Sequence, residues 1–268
     1  MESFITAIKT TLAPYSKVGI AFSGGVDSSF LLKACAEILG ADKVVAVTVK
    51  SPYIPEWEVA EAKELAAQIG VKHTIIPLGI PSSIEQNPEN RCYLCKKIVF
   101  SEILKAAEDE GCEVICDGTN FDDTKDYRPG LVALVELGVL SPLKEAKMTK
   151  QDIRELSKAY GLPTWDKPPY ACLLTRIPYD VTFTELMLRQ IESAEVLLMK
   201  YGFRGVRVRH HGDTARIEIE QTEMVKMLNL DLMKKIHAEI GQLGFKFVTL
   251  DMGGYQTGCY NEGLKIDA

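Results

Sequence analysis

A pair of glycines between an apolar run and a helical pattern constrains this sequence more than any other feature. Residues 18–22 are apolar or small and predict a buried strand, Ser-Gly-Gly-Val-Asp-Ser-Ser follows at residues 23–29, and a helical run covers residues 30–39. Glycines let backbone amides approach a ligand, and a helix N-terminus carries about half an elementary positive charge. The stretch therefore predicts an anion site, most naturally for phosphate.

The type of phosphate site can be narrowed, because neither a Walker Gly-Lys-Ser/Thr ending nor a GxGxxG fingerprint is present. The motif instead resembles the pyrophosphate loop (PP-loop) of the ATP pyrophosphatases, which split ATP into AMP and pyrophosphate. We expect Asp27 to hold the Mg²⁺ that neutralises the pyrophosphate. The other predicted ATP-binding residues of this loop are Ser23, Gly24, Gly25, Ser28 and Ser29. The alternative is a tight strand-to-helix turn with hydroxyl caps.

Length and charge limit the class of protein. The chain has 268 residues and a net charge of −6, which suggests one or two domains and argues against a protein that tracks a nucleic-acid backbone. The first residues lack a basic region followed by an apolar one, and no segment approaches the roughly 20 apolar residues of a membrane span. These features predict a cytoplasmic protein without a membrane partner.

Strand and helix patterns alternate through the first part of the chain. Predicted strands at residues 18–22, 43–49, 71–77 and 113–116 are separated by helices at 30–39, 56–69 and 91–110, and helices at 128–137 and 149–160 follow. Such alternation predicts a doubly wound parallel sheet of the α/β class. After about residue 175 the pattern changes to α+β. We therefore expect a PP-loop domain at 1–175 and a smaller α+β domain for substrate binding or oligomerisation at 176–268.

Ligands of such sheets bind outside the carboxyl ends of the strands, at the point where the strand order switches. Residues 23–29, 48–51 and 117–120 all follow predicted strands, so they should converge on one cleft. Asp117 is a candidate contact for a second metal or for the ribose. An Asp in this position is also a common turn former, and both interpretations stay open.

Seven cysteines fit a reducing compartment better than a disulfide scaffold. Cys92 and Cys95 begin a predicted helix among basic neighbours, and helix N-termini and cations lower the pKa of a thiol. Thiols at this spacing bind metals or iron–sulfur clusters or form redox pairs. A tolerated pair of exposed thiols is the alternative.

Cys172 lies in a proline-framed loop where the two predicted domains meet, a plausible position for a catalytic thiol. It could equally be a small buried residue. If the loop reaches Cys92 and Cys95, the three thiolates could hold a 4Fe-4S cluster with one iron open for a labile sulfide. A structural zinc site would need a fourth ligand, and no histidine stands close in sequence to the three thiols.

Arg207 and Arg209 alternate along a predicted strand, so both project to the same face. Two guanidinium groups on one face suit bidentate binding of phosphate or carboxylate. The alternative is a charged strand face that is simply solvated. A concentration of basic residues in an otherwise acidic chain favours anion binding, and both interpretations stay open.

Taken together, these motifs resemble the LarE family over nearly the whole chain. The motifs are residues 23–29, Arg91-Cys92-Tyr93 with Cys95-Lys96, Asp117-Gly118-Thr119-Asn120, Arg128-Pro129-Gly130, Ser141-Pro142-Leu143, Cys172 with Arg176-Ile177-Pro178-Tyr179, and Arg207-Val208-Arg209 with Ala215-Arg216-Ile217-Glu218.

The resemblance implies an ATP-dependent sulfurtransferase. Its substrate would be pyridinium-3,5-biscarboxylic acid mononucleotide, whose carboxylates become thiocarboxylates on the way to the nickel-pincer nucleotide cofactor of lactate racemase. In the best-known form the cysteine matching Cys172 gives up its own sulfur. Cys92 and Cys95 make this sequence similar to the variant whose three cysteines bind a 4Fe-4S cluster, so single-turnover sacrifice of Cys172 becomes the alternative.

The resemblance also implies the remaining ligands and partners. Arg207 and Arg209 would hold the substrate phosphate, and Arg176 could aid either anion. A sulfide source or sulfur-donor protein is needed, and family members form homo-oligomers. Rival functions are an iron–sulfur-dependent tRNA thiolation enzyme, an ammonia-using synthetase of the same fold, and an ATP-binding regulatory module without turnover.

Overall fold

The computed structural model describes residues 2–125 and 130–255. The chain divides into two compact units, the first made of residues 1–84 and 90–167 and the second of residues 85–89 and 168–268. The first unit thus ends at Lys167, whereas the sequence analysis predicted a domain boundary at residue 175. The short segment 85–89 lies in the second unit because its backbone pairs there: Asn87 accepts the Asp180 N–H at 3.1 Å, and Glu85 accepts the Phe183 N–H at 3.2 Å.

The first unit is built on a parallel sheet of four strands. These are β1 (Val18–Ala21), β2 (Val44–Lys50), β3 (Lys72–Pro77) and β4 (Val114–Cys116). Their order in the sheet is β3-β2-β1-β4, and Gly19 of β1 lies opposite Val45 on one side and Ile115 on the other. The strand order reverses beside β1, so the carboxyl ends of β1 and β4 form the switch point.

Helices cover both faces of this sheet. They are α1 (Glu2–Leu12), α2 (Val26–Leu39), α3 (Glu56–Ile69), α4 (Arg91–Asp109), α5 (Gly130–Glu136), α6 (Pro142–Glu145) and α7 (Lys150–Ala159). Successive strand residues point to opposite faces. Ile20 and Ala46 accordingly pack with α1, α2, α3 and α7, whereas Val45 and Ile115 pack with α4 and α5. The predicted doubly wound α/β fold is confirmed.

The second unit has its own sheet and core. Its elements are α8 (Glu185–Lys200), β5 (Arg207–His211), β6 (Thr214–Glu218), α9 (Met224–Met227), α10 (Leu230–Gln242) and β7 (Phe247–Leu250). β5 pairs antiparallel with β6, and β6 pairs parallel with β7. Leu198, Val208, Ile217 and Ile240 belong to one buried cluster, so α8 and α10 pack on this sheet.

Two further expectations bear on the described ranges. The helix predicted at 128–137 is present from Gly130 to Glu136, while Arg128 and Pro129 lie outside the described residues. Among the helices in those ranges, none combines the length and the apolar composition that crossing a bilayer requires.

Candidate active site

The chain turns sharply between β1 and α2. Gly24 has a φ of +71°, which favours glycine, and a Cβ there would lie 3.0 Å from the Ala62 Cβ. Gly25 is the N-cap of α2 and supplies no side chain to its amides. The first intrahelical hydrogen bond runs from the Ser29 N–H to the Gly25 carbonyl at 3.0 Å. The amides before it have no intrahelical acceptor, so this helix start is open to an anion.

The predicted serine ligands differ in their surroundings. The Ser23 and Ser28 hydroxyl oxygens are 3.1 Å apart, and the Gly25 N–H donates to the Ser23 Oγ at 3.3 Å, so these two side chains organise the loop. Ser29 is completely buried, and its hydroxyl has no hydrogen-bond partner in the described chain. Contact of all three serines with pyrophosphate stays a prediction.

Asp27, the predicted magnesium ligand, already has a cation beside it. The Lys150 Nζ lies 2.5 Å from the Asp27 Oδ2, and the Asn120 Nδ2 donates to the Oδ1 at 3.4 Å. Lys150 is the first residue of α7, directly after the N-cap Thr149. Lysine, asparagine and aspartate from three separate elements therefore meet at the start of α2.

The loop after β4 packs against the same helix start. A Cβ on Gly118 would lie 2.9 Å from the Ser28 backbone nitrogen, which shows how closely the two loops approach. The Asn120 Oδ1 accepts the N–H groups of Asp122 and Asp123 at 2.9 and 3.2 Å and holds the loop in shape. The segments after β1 and β4 therefore converge as the sequence predicted, and the place of residues 48–51 in the same cleft stays a prediction.

Asp117 serves this loop internally. Its Oδ1 accepts a hydrogen bond from the Ser141 hydroxyl at 2.7 Å, and its Oδ2 accepts one from Thr119. The side chain is buried, with both oxygens engaged. This geometry favours the turn-forming alternative, and contact of Asp117 with a metal or ribose stays a prediction.

Side chains of β2 and β3 hold the backbone of Phe22, two residues before the glycine pair, by hydrogen bonds. The Thr48 hydroxyl donates to the Phe22 carbonyl at 2.5 Å, so it accepts from the His73 Nε2, 2.8 Å away. The Nε2 atom of His73 therefore carries a proton. Burial, and then the Lys63 charge, lower the pKa of His73.

A second lysine bonds to the loop itself. The Lys167 Nζ lies 3.2 Å from the Gly24 carbonyl oxygen and 2.8 Å from the Glu61 Oε2, and it stacks over the Trp57 ring at 5.2 Å. Sequence reasoning missed both lysines. At Lys150 a signal was available, because the helix dipole disfavours a lysine in a first turn, whereas Lys167 offered none.

The two neighbouring thiols begin α4. Cys92 is exposed, whereas Cys95 is half-buried with its Sγ 3.5 Å from the Tyr53 hydroxyl. Burial raises the pKa of Cys95, and the hydrogen bond with Tyr53 and the charge of Lys96 only partly oppose that effect. The expected lowering of the thiol pKa at this helix start is therefore wrong for Cys95.

Cys172 is held by its backbone. It precedes the short 3₁₀ turn Leu173–Arg176, and its carbonyl accepts the Thr175 N–H at 3.1 Å and the Arg176 Nη1 at 3.1 Å. The side chain is half-buried. A thiol on such a fixed turn is suited to either of its predicted roles, as cluster ligand or as sulfur donor.

The predicted cluster ligands fit iron–sulfur chemistry by type. Cys92 and Cys95 belong to the first unit and Cys172 to the second. Within the part of the chain that the structure describes, no group of three His, Cys, Asp or Glu side chains is arranged to hold a metal ion. The thiol donors and the partial burial of two of them suit a cluster, and ligation by all three stays a prediction.

The predicted arginine site lies in the second unit and is buried. Arg176 is completely buried and forms a bidentate pair with Glu195, its Nε at 2.9 Å from Oε1 and its Nη2 at 3.1 Å from Oε2. Arg209 is also buried, and its Nη2 lies 2.7 Å from the Glu218 Oε2. Because both strand arginines are buried, the alternative of a solvated charged face is wrong.

Arg207 differs from the other two arginines. Its guanidinium lies between two aromatic rings, 4.6 Å from the Tyr170 centroid and 4.8 Å from the Tyr255 centroid. It donates to the carbonyls of Val206 and Pro169. Burial, and then the Arg176 charge, lower the pKa of Arg207. Among the described residues no carboxylate pairs with it.

Counted over the described residues, the charges of this buried cluster do not balance. The three buried arginines at 176, 207 and 209 face two buried glutamates at 195 and 218, and the latter also pairs with Arg216 at 2.8 Å. A buried charge without a counter-ion is costly unless something neutralises it. Arg176 and Arg209 each form an ion pair with a glutamate, and Arg207 forms none with a described residue, so Arg207 is the best candidate of the three to bind an anionic ligand.

Comparisons with known proteins bear on the family of this chain. A family model described as NAD synthase matches residues 2–98, which include the glycine loop. The chain is 36% identical over 255 residues to pyridinium-3,5-bisthiocarboxylic acid mononucleotide synthase of Lactiplantibacillus plantarum, covering 94% of this chain and 92% of that protein.

Two uncharacterized proteins are also similar along their lengths. One, from Synechocystis sp., is 35% identical over 266 residues and covers 98% of this chain and 99% of its own. The other, from Methanocaldococcus jannaschii, is 34% identical and covers 90% of this chain and 91% of its own. With these identities over almost the whole chain, and with the loop geometry of an ATP-using PP-loop enzyme, this chain belongs to the family of pyridinium-3,5-bisthiocarboxylic acid mononucleotide synthases, the LarE family.

Proposed function

We propose that this enzyme is an ATP-dependent sulfurtransferase. Its substrate is pyridinium-3,5-biscarboxylic acid mononucleotide, whose carboxylates it adenylates and replaces with thiocarboxylates during nickel-pincer cofactor synthesis. The observation that carries the proposal is the open start of α2 beside Asp27, in a chain 36% identical to a synthase named for the corresponding product.

The first unit supplies the ATP site. The uncapped amides of α2 and its dipole favour the phosphates, and the loop after β4 leaves room only for glycine at 118. Asp27 is the residue that would hold Mg²⁺ against the pyrophosphate, because carboxylate oxygens are preferred ligands of this ion. The amides and the helix dipole, together with the ion that Asp27 would hold, would stabilise the negative charge that grows on pyrophosphate as it leaves.

The chemistry requires activation because a free carboxylate is a poor electrophile. A substrate carboxylate oxygen attacks the α-phosphorus of ATP, the bond to the β-phosphate oxygen breaks, and pyrophosphate leaves with both electrons. Sulfide then attacks the adenylated carbon, and AMP leaves. The chain contributes positioning of ATP and neutralisation of its charge in both steps.

The second unit supplies an anion site. Arg207 carries the unbalanced charge, and its rigid position between Tyr170 and Tyr255 lowers the entropy lost when an anion binds. We assign it to the phosphate or a carboxylate of the substrate. Arg176 and Arg209, which are paired with glutamates, position this site.

Sulfur delivery involves the three cysteines. A 4Fe-4S cluster held by Cys92, Cys95 and Cys172 would supply sulfide as the nucleophile. Sulfide itself comes from a source or donor protein outside this chain, and the active form is a homo-oligomer in this proposal. The alternative is that Cys172 donates its own sulfur once.

The test measures pyrophosphate and thiocarboxylate formed from ATP, Mg²⁺, the dicarboxylate mononucleotide and sulfide, using anaerobically reconstituted protein. We expect pyrophosphate only when the substrate is present, and several products per chain. Asp27→Asn should abolish release of pyrophosphate. Asp42→Asn is the matched control, because Asp42 is exposed beyond the other end of α2 and should leave activity unchanged.

The outcomes separate the alternatives. One product per chain, with the mass of hydrogen sulfide lost from the peptide containing Cys172, would indicate the sacrificial route. Thiolation of tRNA with tight, salt-sensitive binding would replace the proposed substrate. Absence of pyrophosphate with every substrate would leave an ATP-binding module and contradict the proposal.

A further inference from the structure

Lys150 is placed at the glycine loop by a fixed helix start. Thr149 and Asp152 form a capping box at the N-terminus of α7, and the Lys150 N–H donates to the Asp122 Oδ2 at 2.8 Å. The side chain then reaches across to Asp27, 2.5 Å from Nζ to Oδ2. The backbone of Lys150 is thus anchored while its ammonium group lies beside the predicted magnesium ligand.

Stability alone does not account for a lysine at this position. A cation in the first turn opposes the helix dipole, so Lys150 is unfavourable for α7 itself. Its ion pair with Asp27 is partly exposed, with 36% of the lysine side chain and 23% of the aspartate side chain accessible, and such pairs contribute little. A role in binding a ligand would explain why a lysine stands there.

The contacts of the two lysines at this loop differ. Lys167 is bound by two carboxylates, at 2.8 Å from Glu61 and 3.9 Å from Glu58, and by the Gly24 carbonyl. Within the described chain the Lys150 ammonium has a single carboxylate partner, Asp27. If a divalent ion occupies Asp27, Lys150 loses that partner, whereas Lys167 keeps both of its own.

We propose that Lys150 is a ligand of the ATP polyphosphate that occupies the cation position beside Asp27 until nucleotide arrives. When ATP binds with Mg²⁺, Lys150 would leave Asp27 to hold the ion, and its ammonium group would bind the β- or γ-phosphate. Lysine suits this exchange because its ammonium is a compact charge on a flexible stem. This assignment rests on the proposed function of the loop and adds a residue to it.

The first test compares nucleotide affinities by calorimetry. Lys150→Met should weaken Mg²⁺-ATP binding about ten- to a hundredfold, the effect of losing a charged hydrogen bond. Affinity for AMP should change less than about twofold, because AMP lacks the phosphates that Lys150 contacts. Lys33→Met is the matched control: Lys33 also lies on the helix of the loop and pairs with Glu37 at 3.0 Å, and its loss should change neither affinity.

The second test measures binding of Mn²⁺ without nucleotide, by electron paramagnetic resonance. Lys150→Met should bind Mn²⁺ roughly three- to fivefold more tightly than the unmodified chain, because the competing ammonium is gone. In an Asp27→Asn background the same substitution should have no effect on Mn²⁺ binding. This double-mutant cycle isolates the exchange at Asp27 from a general change in charge.

Each other outcome has one meaning. If the unmodified chain binds no Mg²⁺-ATP, the proposed function itself fails. If it binds ATP and Lys150→Met binds equally well, only the assignment of Lys150 is wrong. Equal losses for ATP and AMP, together with a lower unfolding temperature, would indicate a purely structural ion pair and also overturn the assignment.

Discussion

Replacing Gly118 by alanine should damage both the stability and the nucleotide affinity of the first unit. The φ of Gly118 is outside the left-handed region, so alanine is compatible with the backbone. Space is the obstacle. The new Cβ would lie 2.9 Å from the Ser28 nitrogen and 3.2 Å from both the carbonyl carbon and the Cβ of Asp27.

The magnitude follows from these distances. Carbon atoms in contact are normally about 3.5–4.0 Å apart, so the two loops must separate by roughly half an ångström. Overpacking of this kind costs about 1–3 kcal/mol of unfolding free energy. The shift also moves the Ser28 amide and Asp27, and loss of one hydrogen bond to a charged phosphate would weaken ATP binding about ten- to a hundredfold.

Tryptophan fluorescence during urea unfolding measures this effect selectively. The chain has two tryptophans, Trp57 and Trp165, and both lie in the first unit. Gly79→Ala is the matched control, because its φ is also outside the left-handed region and its Cβ would meet nothing within 4 Å. That change should be neutral or stabilise by about 0.4–1 kcal/mol.

Equal unfolding midpoints and equal ATP affinities in Gly118→Ala and Gly79→Ala would refute the reasoning. That result would mean that the loop after β4 can move away from the start of α2 without cost. The close approach at Gly118 would then have no part in shaping the ATP site.

Three further outcomes follow from the structure. Arg207→Met should weaken binding of the dicarboxylate mononucleotide about tenfold or more in calorimetry, while the exposed Arg189→Met should leave it unchanged. Arg176→Met should destabilise the second unit by about 3–5 kcal/mol in calorimetric unfolding, because the buried Glu195 carboxylate would lose both hydrogen bonds from its bidentate partner. The pKa of His73 is lowered in the folded chain, so the unfolded chain binds more protons near and below about pH 6.5. The unfolding free energy therefore decreases as the pH is lowered through this range. His73→Gln should make the tryptophan-detected unfolding midpoint less sensitive to pH between about 7 and 5, and an unchanged sensitivity would contradict this account.

Local patterns in the sequence were sufficient for the first unit. The alternation of apolar strands and amphipathic helices predicted the parallel sheet, and the strand-end rule predicted that the loops after β1 and β4 would meet. Both signals are local, because a strand buried on two faces reads as a continuous apolar run and a helix buried on one face reads as an amphipathic repeat. The glycine pair likewise predicted a turn from local sequence alone, since the positive φ of Gly24 favours a residue without a Cβ.

The arginine site shows where local patterns end. Strand periodicity correctly placed Arg207 and Arg209 on one face, but it could not tell whether that face was exposed. Their partners come from other elements: Glu195 of α8 binds Arg176, and Glu218 of β6 binds Arg209. Which arginine keeps an unbalanced charge depends on these pairings.

The sequence by itself determined the fold class, the position of the glycine loop between β1 and α2, and the family of this chain. The tertiary structure decided that Lys150 meets Asp27, that burial raises the pKa of Cys95, and that Arg207 pairs with no carboxylate among the residues that the structure describes. The physical reason is the distance along the chain between the interacting residues. Backbone conformation and periodic burial are set by neighbours in the sequence, whereas charge pairing and desolvation depend on side chains brought together from distant segments by packing.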